Sequence, residues 1–127
     1  MNHIRVDEKS TGLAPIILFV YDRPLHTKKT IEALKKNTLA KQSIIFVYSD
    51  EAKDKKSREN VDEVRNLIAN INGFKKVSII KQVKNKGLAR SIIDGVTEVV
   101  HEYGRAIVLE DDIVTSPLFL KFMNDGL

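Results

Sequence analysis

Three carboxylates in a row, Glu110-Asp111-Asp112, follow directly on the apolar run Ala106-Ile107-Val108-Leu109. Adjacent acids repel one another, so this placement calls for a compensating positive charge. Two arrangements supply it. A hard divalent cation, Mg2+ or Mn2+, takes carboxylate oxygens, leaves positions for substrate phosphates, and offsets charge developing on a diphosphate leaving group. Alternatively, the acids form a turn beside a helix starting near Ser116, where the helix dipole favours negative charge.

Other residues fit the same chemistry. Arg23 follows one apolar run and precedes a helical pattern, so its guanidinium is suited to bind a diphosphate or to pair with an acid. Asp50 ends a second apolar run; it is either a turn residue or an acceptor for a base N–H. Asn85-Lys86-Gly87-Leu88 reads as a helix-entry turn whose glycine also permits close backbone approach to a ligand. Arg90 lies one helical turn further on. His3, His26 and His101 show no metal-ligand spacing, and Phe119, Phe122 and Met123 are expected in the core.

These residues need a scaffold that brings them together. Ile16 to Tyr21 is a continuous apolar run, expected for a strand buried on both faces. A helix runs from Pro24, a residue suited to a first helical turn, to about Asn37. Ser43 to Ser49 gives a second strand. The next helix is capped at Ser57, carries the stripe Val61, Val64, Leu67, Ile68 and Ile71, and is closed by Asn72-Gly73. Val77 to Val83 is a third strand. A third helix carries the stripe Leu88, Ile92, Val96 and Val99 or Val100, ending before Gly104. Arg105 to Leu109 is a fourth strand, and Ser116-Pro117 is expected as cap and first position of a last helix.

The alternation of strands and helices predicts an α/β fold, a mostly parallel sheet with helices on both faces and the Rossmann strand order 3-2-1-4. In such sheets ligands bind beyond the carboxyl ends of the strands, where the order reverses. Asp22 and Arg23, Asp50, Asn85, and Glu110 to Asp112 then share one edge. Residues 1–14 read as a flexible lead-in and 15–127 as the folded domain.

Composition excludes several classes. The chain of 127 residues has 43% hydrophobic and 30% charged residues, as expected of one globular domain. It has 0 cysteines, so disulfides and thiolate metal sites are ruled out. No apolar run approaches the ~20 residues of a membrane span, and none resembles a signal peptide. The expected location is the cytoplasm, the inner face of the membrane included. The net charge of +4 comes from 21 basic and 17 acidic residues. The basic residues fall as scattered pairs such as Lys28-Lys29 and Lys55-Lys56, which predicts a solvated surface and no nucleic-acid partner. The excess still favours an anionic ligand.

The ordered set Tyr21-Asp22-Arg23-Pro24, Tyr48-Ser49-Asp50, Asn85-Lys86-Gly87-Leu88 and Glu110-Asp111-Asp112 resembles the N-terminal half of GT-A fold glycosyltransferases. It is most similar to the N-acetylglucosaminyltransferase I and O-mannose N-acetylglucosaminyltransferase branch, and more loosely to family 2 transferases. The resemblance spans residues of about 15 to 125. It implies that Asp112 holds Mn2+ or Mg2+ on the diphosphate, and that Glu110 and Asp111 contact nucleoside or sugar. It also implies that Asp50 reads a uracil ring, that Arg23 lies near the phosphates, and that Arg90 contacts the nucleotide or sugar. The implied partners are a UDP-linked sugar donor and a glycan or other hydroxyl acceptor, in an inverting transfer. Catalytic domains of the family continue past the metal motif to an acceptor site and a catalytic base. The chain by itself is therefore expected to bind nucleotide and to transfer sugar poorly or not at all. A receiver-like signalling domain is the rival, but it requires an acid pair after the first strand and an Asp after the third, where this chain has Val83-Lys84-Asn85. A nucleotide-binding domain without activity is the second rival.

Overall fold

The computed structural model describes residues 12–127. Four parallel strands form the sheet: β1 (Ile16–Val20), β2 (Ile44–Ser49), β3 (Lys76–Lys81) and β4 (Ile107–Glu110). Their order is β3-β2-β1-β4. This is the Rossmann-like α/β arrangement expected from the alternation of apolar runs and helical stripes. The helices are α1 (Pro24–Lys35), α2 (Lys55–Ile68), α3 (Leu88–Tyr103) and α4 (Phe119–Asp125), with a short 3-10 turn at Ala40–Gln42.

Every side chain of β1 is buried, because strand side chains alternate and both faces of this central strand are covered. Ile16, Leu18 and Val20 pack with Ile31 and Leu34 of α1, Val64 and Ile68 of α2, and Leu120 of α4. Ile17 and Phe19 face the other way, onto Tyr48 of β2 and Val99, Ile92 and Val96 of α3. Three helices thus cover one face and α3 covers the other.

Several details differ from the sequence expectations. The cap of α2 is Asp54, whose side chain accepts from Ser57 N; Ser57 is the third helical residue and completes a capping box. Pro24 begins α1 as expected, but the helix ends at Lys35, and Asn37 serves a different element. Its Oδ1 accepts from Leu120 N at 2.8 Å, supplying a partner for a free N–H at the start of α4. That helix starts at Phe119, not at Pro117, and Ser116 only accepts a backbone bond from Phe119 N. Phe122 is 76% exposed rather than in the core. On α3, Ile92, Val96 and Val99 pack on the sheet as expected, and the difference lies in which positions of this helix are most deeply covered. Its buried row is Ser91, Gly95 and Val99, while Leu88 and Val100 are exposed.

Gly95 explains why that row lies closest to the sheet. A Cβ there would stand 2.9 Å from Phe19 Cε1 and Cζ and 3.3 Å from Tyr48 Cε1. The helix lies so close to the Phe19–Tyr48 ring pair, whose centroids are 5.4 Å apart, that only glycine fits. Gly104 ends α3 in the left-handed conformation, φ 82°.

At the amino end, Ala14 is buried and its N–H donates to Asn124 Oδ1 at 2.8 Å. Most of the lead-in expected over residues 1–14 lies outside the described residues. Among the described residues no helix is long and apolar enough to cross a membrane.

Candidate functional site

Parallel pairing brings the strand ends level. Phe19 is in register with Tyr48 on one side and with Glu110 on the other, so the segments after β1, β2 and β4 emerge along one edge. A cavity of about 360 Å3 opens there, between the strand ends and the first turn of α3. It lies at the reversal of strand order between β1 and β4, where open α/β sheets receive ligands.

The cavity lining comes from two sets of elements. Asp22 and Arg23 after β1 and Glu110 and Asp111 at the end of β4 supply one set of charged groups. Phe19, Tyr48, Leu88 and the α3 residue Ser91 supply rings, an apolar chain and a hydroxyl, and Asp50, Lys53, Asn85 and Gly87 complete the lining.

Arg23 and Asp111 form the central ion pair. Arg23 Nη2 donates to Asp111 Oδ1 in a very short contact and stands 3.9 Å from Asp112 Oδ2. Asp111 is 4% exposed, and its backbone carbonyl accepts from Thr30 Oγ1 at 2.7 Å, so α1 fixes the turn that follows β4. Burial pushes the Asp111 carboxyl above its usual range, against the opposing pull of the Arg23 hydrogen bond and charge. The same hydrogen bond to Asp111 raises Arg23 further, keeping the guanidinium charged. The acidic triplet therefore splits into three environments: Glu110 lines the cavity, Asp111 is buried against Arg23, and Asp112 is exposed at the rim.

Asp50 is buried and its acceptor capacity is used. Oδ1 accepts from Glu51 N and Lys86 N, both at 2.9 Å, and Oδ2 accepts from Gly87 N at 2.9 Å and Asn85 Nδ2 at 3.2 Å. A carboxylate offers about four lone-pair sites. Three of those of Asp50 hold the turn between β3 and α3, where Gly87 has φ 81°, a conformation that disfavours a side chain. Arg65 of α2 fastens the neighbouring strand ends. Its Nε donates to Ser49 Oγ at 3.0 Å, and its Nη2 donates to the carbonyls of Ser49 at 3.1 Å and Gln82 at 3.0 Å. The Tyr21 hydroxyl donates to Ser57 Oγ and accepts from Lys53 N, each at 3.2 Å, which sets the loop carrying Lys53.

Arg90 lies outside the cavity lining. Its side chain is 64% exposed and its Nη1 is 3.5 Å from Asp94 Oδ1. The structure thus gathers Arg23, Asp50, Glu110 and Asp111, sets Asp112 at the rim beside Arg23, and leaves Arg90 on the outer surface of α3.

The donor set suits a hard cation. Among the described residues, no group of three or more His, Asp and Glu is arranged to hold a metal by itself. Mg2+ requires no such cage, since it commonly binds one or two carboxylates and fills its shell with water and substrate phosphate. Glu110 lines the cavity, and Asp112 Oδ2 stands 3.9 Å from Arg23 Nη2, so a cation there would share that carboxylate with the guanidinium.

The sequence reading did not single out Ser91 or Lys53, and it assigned Leu88 to the buried stripe. A signal was present in the row Gly87, Ser91, Gly95, Val99, small residues at four-residue spacing that mark a helix face in close approach. No protein-family model matches the chain, and comparison with curated proteins gives no match.

Proposed function

We propose that this chain is the donor-binding portion of a metal-dependent glycosyltransferase, taking a nucleoside diphosphate sugar, best UDP-linked, whose sugar passes to a glycan or other hydroxyl acceptor. The observation that carries this reading is the cavity at the strand-order reversal, whose lining combines charged groups at the ends of β1 and β4, Arg23, Glu110 and Asp111, with the rings of Phe19 and Tyr48. A nucleotide likewise combines an anionic diphosphate with a planar base.

In this reading Arg23 holds a diphosphate oxygen, while Asp112, assisted by Glu110, holds Mg2+ or Mn2+. The cation supplies charge neutralisation of the departing diphosphate. Asp111 orients Arg23, and Asp50 holds the Asn85–Gly87 wall against which the nucleoside lies. Arg90 stands apart from this assignment because of its place on the outer surface.

Thermal-shift titration with UDP, GDP and CMP, with and without Mn2+, tests the reading. A ligand that binds only the folded chain raises its melting temperature by mass action. The expected result is stabilisation by UDP that requires Mn2+ and is lost in Asp112→Ala. Stabilisation by another nucleotide would keep the site and replace the base. A folded sample that responds to none of them would remove the donor-site reading.

A further inference from the structure

Two buried hydroxyls have no hydrogen-bond partner among the described residues: Thr27 Oγ1 and Ser91 Oγ. A buried hydroxyl without a partner is costly, and such exceptions in a native fold call for an explanation. The two differ in what they face. Thr27 is fully buried in α1 and lies outside the cavity lining. Ser91 is 6% exposed and lines the cavity, as do Phe19, Tyr48 and Leu88.

Two polar groups of the cavity lining are already engaged. The acceptor positions of Asp50 are taken, three by the turn before α3 and one by Glu51 N. The Tyr48 hydroxyl donates to Glu98 Oε1 at 2.6 Å, and burial followed by this hydrogen bond keeps the phenol protonated. Gly95 holds α3 against the aromatic rings and so fixes the height of Ser91, one helical turn earlier, above the same floor.

We infer that Ser91 Oγ is the group that reads the polar edge of the ligand's planar ring, a nucleobase carbonyl or ring N–H, in place of Asp50. The inference rests on the donor-site reading and deepens it. A serine hydroxyl supplies one donor and two acceptor sites, which suits the alternating carbonyl and N–H edge of a pyrimidine. The aromatic pair and Leu88 give the ring its apolar faces.

The test compares wild type, Ser91→Ala and Thr27→Val, measuring melting temperature and the affinities of UDP and inorganic pyrophosphate, each with Mg2+. Removing an unpartnered hydroxyl should leave the melting temperature of the free chain unchanged or raise it in both variants. Ser91→Ala should weaken UDP by about 3- to 10-fold, the effect of one hydrogen bond, and leave pyrophosphate unchanged. Thr27→Val should bind both as wild type does. Equal weakening of UDP and pyrophosphate in Ser91→Ala, or unchanged UDP affinity, would overturn the inference while the donor-site reading stands. Failure of folded wild type to bind UDP would overturn both.

Discussion

The two faces of the sheet are built on opposite terms. On one, Ile16, Leu18 and Val20 of β1 meet aliphatic side chains from α1, α2 and α4, and α1 also buries Thr27 and Thr30. On the other, Ile17 and Phe19 meet a single helix through Ile92, Val96 and Val99 with Gly95 in closest approach, and a cavity remains at the strand ends. The first face supplies stability. The second gives up packing at the strand ends, and that is where charge, aromatic rings and a buried hydroxyl converge. A domain of this size is stable by only about 5–15 kcal/mol, so packing must offset the two buried hydroxyls without partners, Thr27 and Ser91.

Substitutions on the two faces should separate these roles. Leu18→Ala leaves a hole in a fully buried cluster and should cost about 2–5 kcal/mol, read by chemical denaturation, with ligand affinity little changed in the molecules that remain folded. Gly95→Ala gains helix propensity but drives a methyl into Phe19 and Tyr48; it should cost about 1–2 kcal/mol net and also weaken ligand binding, because the rings it displaces floor the cavity. If Leu18→Ala and Gly95→Ala affect stability and binding in the same ratio, the division between the faces is wrong.

Asp50→Asn probes the cavity wall. It places an amide where a carboxylate accepts from Lys86 N and Gly87 N, so an N–H2 group must face a backbone N–H. The expected cost is about 1–3 kcal/mol, with faster amide hydrogen exchange at Lys86 and Gly87. Unchanged exchange there would show that the turn stands without Asp50.

The smallest effect concerns the loop beside the cavity. Glu51 is held below its usual range first by its hydrogen bond to Arg58, and Asp54 by the backbone N–H of Ser57. Both carboxyls have lower pKa values folded than unfolded, so their stabilising contribution is present above the unfolded values and is lost as pH falls through the folded ones. Asp54 is exposed and Glu51 is paired with the partly exposed Arg58, which keeps the effect small. Asp54→Asn should flatten the acid limb of a stability profile without shifting the neutral plateau much, since Asn also caps helices well.

The sequence is most legible where one physical signal dominates. Continuous apolar runs located β1 and β2 to within a residue, and the parallel order followed from helical crossovers. The strand ends then placed Arg23, Asp50 and Glu110-Asp111 on one edge. What was hidden depends on partners distant in sequence. The start of α4 is satisfied by Asn37, eighty-three positions away, so its own Ser116 was a misleading signal. The closest approach of α3 to the sheet is at Gly95, against Phe19 and Tyr48, a position that counting large apolar residues passes over. The duty of Asp50 is to backbone N–H groups, which side-chain types do not announce.

The central claim is that Asp112 and its neighbours hold a divalent cation on a bound diphosphate at this edge of the sheet. The most direct measurement is paramagnetic broadening of backbone amide signals by substoichiometric Mn2+, recorded with and without UDP. The expected result is broadening centred on Asp111 to Ile113 and on Asp22 and Arg23, strengthened by UDP and abolished in Asp112→Ala. Broadening centred instead on the acidic surface of α2 around Asp62 and Glu63, or unaffected by UDP, would contradict the claim.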